Sequence, residues 1–149
     1  MKKIFFLVLM LVTVAGCNLI SSSDSFEQPQ GKVIVDNKDY TMTIGSFKWK
    51  EDDFEARKIS SSDIKSLANE FETLDVKEGE KLKIQIEQNP SSITVNQKNE
   101  DGTSKSVGIQ DNQIILPSEK GYYIYEITAK WNKGEIKGRL NYIFDVKIN

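Results

Sequence analysis

Few residues in this sequence of 149 are of a type that does chemistry, and one stands apart. Cys17 is the only cysteine, and it follows Val14-Ala15-Gly16 at the end of a short apolar run. A thiol is a strong nucleophile once deprotonated, but the chain contains no histidine to activate it. The absence of histidine excludes Ser-His-Asp and Cys-His catalysis and most zinc sites. A single cysteine excludes an intramolecular disulfide. Carboxylates are plentiful, and Asp52 with Glu55, or Glu78 with Glu80, are pairs of the kind a carboxylate hydrolase uses. Such an enzyme holds its two carboxyls about 5–10 Å apart in a cleft, and nothing in the local sequence builds a cleft around either pair. The run Glu51-Asp52-Asp53-Phe54-Glu55 offers oxygen ligands of the kind calcium takes. It lacks the alternating Asp/Asn pattern and the turn glycine of a calcium loop, so it reads as a solvated acidic surface. No glycine-rich phosphate loop or nucleophile elbow is present. The sequence therefore assigns no catalytic residue, no metal and no cofactor, and the chain reads as a non-enzyme.

The other residues with recognition chemistry are aromatic. Tyr123, Tyr125 and Trp131 share one face of an alternating run with Ile127 and Ala129, and Tyr142 shares a face with Leu140 and Phe144. Those positions read as core. Tyr122 falls on the opposite face and Trp49 on neither clearly, so these two are the candidates for a surface contact with a sugar ring or a peptide.

The elements that position these residues divide the chain into three parts. Met1-Lys2-Lys3 followed by the apolar run Ile4 to Val14 is about half the roughly 20 residues of a membrane-spanning helix. It reads as a secretory signal over residues 1–16. Residues 17–30 are serine-rich with little to bury and read as a flexible tether, reaching on the order of 20 Å. Residues 31–149 form the single domain, with a core over about 73–148. Without Lys2 and Lys3 the mature chain has 18 basic and 22 acidic residues, a net charge of −4. That balance argues against nucleic acid as a partner and predicts no electrostatic pull toward anionic lipid.

Within the domain the periodicity is that of strands. Lys32–Val35 and Tyr40–Ile44 read as strands, with Phe47 and Trp49 on one face of a continuation. Ser62-Asp63 caps a short helix over 64–71, with Ile64, Leu67 and Phe71 on one side. Lys81–Glu87 alternates strictly, with Leu82, Ile84 and Ile86 inward. Strands at 92–98, 107–109 and 112–116 follow, with a hairpin turn at Asn99-Glu100-Asp101-Gly102. The segments 121–131 and 138–148 form a long hairpin that carries half the core. Strands at such spacing predict an all-β sandwich or barrel.

Three resemblances sharpen this reading. Val14-Ala15-Gly16-Cys17 resembles a bacterial lipobox, an aliphatic residue and two small ones before a cysteine. The resemblance implies that Cys17 carries a diacylglyceryl group and becomes the first residue of a mature chain of 133 residues. Glu119-Lys120-Gly121-Tyr122-Tyr123-Ile124-Tyr125 is similar to the tyrosine-corner segment of immunoglobulin-like domains, and Val76-x-x-Gly79-Glu80-x-Leu82-x-Ile84 to their A′–B corner. This implies an immunoglobulin-like antiparallel β-sandwich with strands A 73–77, B 81–88, C 92–98, E 112–116, F 121–131 and G 138–148. Tyr123 would then bond its hydroxyl to the corner backbone, and residues 31–60 would add strands to one sheet. The disulfide and the strand-C tryptophan of that family are missing, and Tyr125 stands at a cysteine position. Finally, Leu116-Pro117, Gly121–Glu126, Trp131 and Tyr142-x-Phe144-x-Val146 look like segments of small uncharacterised lipoproteins of low-GC Gram-positive bacteria, which implies a place outside the cytoplasm and transfers no active site.

The expectation is a monomeric, lipid-anchored binding module at the cell membrane, facing outward, with an envelope protein or a cell-wall ligand as partner. Two other readings stay open. One is an envelope regulator or inhibitor acting on a membrane protein; the other is a carboxylate hydrolase.

Overall fold

The computed structural model describes residues 26–149. The signal segment, Cys17 and the first part of the tether lie outside the described residues. Among the described residues eleven strands form two facing sheets, accompanied by one short helix. In chain order the elements are β1 (Gly31–Val35), β2 (Lys38–Thr41), β3 (Thr43–Glu51), β4 (Phe54–Lys58), α1 (Ile64–Ala68), β5 (Leu74–Val76), β6 (Lys81–Ile86), β7 (Ser92–Asn99), β8 (Ser104–Val107), β9 (Gln113–Ile115), β10 (Gly121–Lys133) and β11 (Ile136–Ile148). One sheet has the order β2-β1-β6-β9, and the other β4-β3-β11-β10-β7-β8 with β5 also on β11. All pairings are antiparallel except β5 with β11. The architecture is all-β and sandwich-like, consistent with the immunoglobulin-like expectation.

The local chemistry explains the elements. In β6 the strict alternation buries Leu82, Ile84 and Ile86 and exposes Lys81, Lys83 and Gln85. Asp36 and Asn37, both at positive φ, turn β1 back into β2, as a two-residue hairpin loop requires. Asp63 is the N-cap of α1, its carboxylate accepting the Ser66 amide at 2.7 Å. The helix ends at Ala68, three residues short of the sequence expectation.

One placement differs from that expected. Residues 31–60 supply strands to both sheets, not one: β1 and β2 extend the sheet of β6, whereas β3 and β4 extend the sheet of β11. The segment expected as strand A is β5, which pairs in parallel with β11, and β1 occupies the position beside β6. The β11 edge is thereby shared, with β3 on residues 136–143 and β5 on residues 146–148.

The main core fills the space between the sheets, and its aromatic residues keep their polar atoms bonded. Tyr125 stacks on Phe144 at 4.9 Å and donates its hydroxyl to Gln97 Oε1 at 3.1 Å. Tyr142 donates to the Pro29 carbonyl at 2.6 Å, and the Trp131 indole to the Gln88 carbonyl at 3.0 Å. A smaller cluster lies on the outer side of the β10–β11 sheet, where α1 covers Ile124 and Ile143 with Ile64, Leu67 and Ala68.

The end of the expected tether is part of the domain. Phe26 sits among Phe47, Trp49 and Phe54, with ring centroids 5.5, 5.2 and 6.1 Å away. Pro29 is buried, and the Gln30 amide donates to Glu87 Oε2 at 2.8 Å. Residues 26–30 therefore strap onto the sandwich, so the tether expected over residues 17–30 does not extend over its last five residues.

Candidate functional site

Of the sequence-derived candidates, Cys17 lies outside the described residues. Trp49 does not offer a surface contact: it is 1% exposed, set edge-on against Trp131 at 5.1 Å and covered by Phe26. Alternation alone left its face undecided because the residues that bury it come from the tether and from β10. Tyr122 is half-buried and its hydroxyl is engaged, donating to Asp145 Oδ2 at 2.5 Å. Burial, then this hydrogen bond and the carboxylate charge, push its phenol above the ordinary value of 10.0. Tyr122 is thus a clip between β10 and β11 and not a free platform. Tyr123 donates its hydroxyl to the Glu119 carbonyl at 2.9 Å, across the bend that enters β10.

Asp145 lies between the buried Phe144 and Val146 on β11, so strand alternation turns it to the outer face, yet it is 1% exposed. Its Oδ2 accepts from Tyr122 and from Thr73 Oγ1, the latter at 3.0 Å. Its Oδ1 has no hydrogen-bond partner among the described residues. The carboxylate ties the strand pair β10–β11 to the segment leading into β5.

The strongest surface feature arises from register. Lys130 of β10 stands opposite Arg139 of β11, Arg139 opposite Lys48 of β3, and Lys48 opposite Arg57 of β4. All four are exposed, on the outer face of the larger sheet. At about 4.8 Å per strand the row is about 14 Å long. The next row adds Lys137 and Lys50, with Glu55 as its carboxylate. Like charges directly opposite one another destabilise a sheet. No member of the row makes an ion pair, the one ion pair among the described residues being Lys32 with Asp39 at 3.9 Å. A shallow cleft of about 320 Å³ lies along the row, lined by Lys48, Arg57, Lys58 and Arg139 together with Ile59, which is 72% exposed.

The packing beneath fixes this row. Gly138 pairs with Trp49, one residue below the Arg139–Lys48 pair. A Cβ on Gly138 would lie 2.4 Å from Trp49 Cε3, so the indole rests directly on the β11 backbone. That contact holds β3 against β11 and sets Lys48 beside Arg139. The arrangement concentrates positive charge on a rigid surface and provides donors for phosphate or carboxylate oxygens.

Residues 1–18 match the model of the prokaryotic membrane lipoprotein lipid attachment site. The match indicates a lipid-anchored, membrane-associated lipoprotein. Its span includes Cys17 and the apolar run before it. None of the curated proteins matches the chain. Among the described residues of this lipoprotein no helix is long and apolar enough to cross a membrane.

Proposed function

We propose that this lipoprotein is an extracytoplasmic binding module, anchored through Cys17, whose working surface is the basic row and whose ligand is anionic. The observation that carries the reading is the alignment of Lys130, Arg139, Lys48 and Arg57 across four neighbouring strands with no ion-pair partner. A domain of net negative charge that opposes four cations pays in self-repulsion, and a bound anion relieves it. The row binds and does not catalyse, since it brings together cations without a nucleophile or a general base.

The test uses the full lipidated protein in detergent with inorganic polyphosphate as the probe. Binding is expected to weaken with salt and to be lost in Lys48→Glu/Arg139→Glu. Binding that survives this double reversal refutes the reading. Capture of one stoichiometric membrane protein by both forms would replace it with the regulator reading. Cys17→Ala is expected to abolish labelling by a fatty-acid probe and to release the protein from membranes.

A further inference from the structure

We propose that the Lys130–Arg139–Lys48–Arg57 row seats the domain on the anionic phospholipid headgroups of the membrane that holds Cys17. The inference rests on the anion-binding reading and names its ligand. The net charge of −4 predicts no such attraction, but net charge averages over a surface, and the structure gathers six cations and one carboxylate into two adjacent cross-strand rows.

Chain length makes lipid the occupant. Phe26 is docked on Phe47, Trp49 and Phe54, so only nine residues of chain lead from Cys17 to the domain. However those residues are arranged, they span at most about 30 Å. Phe26 lies on the inner side of β3, and the row on the outer side of the same strand at the same level, about one sheet thickness of 10 Å away. The anchor therefore keeps the row near the headgroups. Attraction acts within a Debye length of about 8 Å at physiological salt. A short tether raises the effective concentration to the millimolar range, so a weak contact becomes populated. Helix α1 covers the far half of this face over Ile124 and Ile143, and leaves the row open on the half nearer the β10–β11 turn. The acidic turn Glu51–Asp53 lies past the second row, at the β3–β4 hairpin end of the sheet, so the domain meets the surface by its sheet face and not by that turn. Ile59, exposed beside the cleft, then enters the interfacial layer.

The experiment uses the full lipidated protein with Ser92→Cys, at the end of the row opposite Lys130, carrying an environment-sensitive fluorophore. The lipidated Cys17 does not react, so the label is unique. The protein is inserted by its anchor into vesicles of phosphatidylcholine alone or of phosphatidylcholine with phosphatidylglycerol. The expected result is a blue shift and protection from a neutral aqueous quencher only with phosphatidylglycerol, reversed by high salt. Each basic residue near an anionic surface is worth about a fivefold factor, so Lys48→Glu/Arg139→Glu lowers the docked-to-undocked ratio at least about 25-fold. Lys81→Glu/Lys83→Glu, on the outer face of the other sheet, leaves it unchanged. Equal protection in both vesicles, or protection that survives reversal of the row, overturns the proposal. Polyphosphate binding through the row without phosphatidylglycerol-dependent protection overturns the lipid assignment alone. Absence of both overturns the anion-binding reading as well.

Discussion

Replacing Gly138 by alanine tests the packing on which the basic row depends. The added Cβ would lie 2.4 Å from Trp49 Cε3, 2.6 Å from Cζ3 and 3.3 Å from Trp131 Cε3. Carbon atoms in contact prefer about 3.5–4.0 Å, so the indole or the strand must move by more than about 1 Å. Trp49 has no free direction, because Phe26 and Trp131 enclose it at 5.2 and 5.1 Å. Overpacking of this kind costs about 1–3 kcal/mol or more. Loss of glycine entropy from the unfolded chain returns about 0.5–1 kcal/mol. The net expectation is a loss of about 1–2 kcal/mol, and a Tm lower by about 4–8 °C for a domain of this size. Circular dichroism melts with tryptophan emission read in parallel measure both the stability and the displaced indole. A second variant separates this clash from other causes. Trp49→Phe removes the outer ring that meets the new Cβ, so Gly138→Ala should cost less in its background, with a coupling of about 1 kcal/mol or more. An unchanged or higher Tm for Gly138→Ala, or strict additivity of the two, would show that the indole does not rest on the glycine.

Two further outcomes are expected from polar groups inside the fold. Tyr122→Phe removes one of the two bonds to the buried Asp145 Oδ2 while Oδ1 is already unpaired. It should cost about 1–2 kcal/mol in urea unfolding, and no change would mean that Asp145 is not held by this clip. Burial raises the Tyr122, Tyr125 and Tyr142 phenols above 10.0. Raised folded values mean that the stability is fully present below pH 10, where the unfolded phenols are neutral. It falls as pH rises past 10 and the unfolded chain ionises first. The urea midpoint should therefore hold steady up to about pH 10 and then decline, with phenolate absorbance appearing only as the protein unfolds. A midpoint flat well above pH 10, or phenolate formed in the folded protein, would contradict this.

The fold was legible wherever a strand buries one face, and the site was not. Strict alternation at Lys81–Ile86 and the apolar ladders of Gly121–Lys133 and Ile136–Ile148 are local patterns that read directly as half-buried strands. The Asp63 cap is likewise local. Partner choice is not: nothing near Thr43–Glu51 announces that it pairs with β11 while Gly31–Val35 pairs with β6. Trp49 looked undecided because Phe26 and Trp131, which cover it, are 23 residues before it and 82 after it. Asp145 turns outward by alternation, yet Thr73 and Tyr122 enclose it from other elements. The basic row is the clearest case. Its residues occupy β3, β4, β10 and β11, and only the register brings them opposite one another.

The shared edge of β11 also governs when the chain can fold. This last strand, Ile136–Ile148, is the partner of β10, β3 and β5, and β3, paired locally with β4, meets it across 85 to 100 residues of sequence. Until those final 13 residues are available, β3 has only its hairpin partner β4 and β10 only β7 in the larger sheet. Loop closure over such a distance comes before any contact rewards it, so folding belongs to the slow, non-local class. The larger sheet is thus completed late, after the pairings that do not involve β11. Truncation of β11 is expected to split the larger sheet into a β3–β4 pair and a β10–β7–β8 group that share no strand.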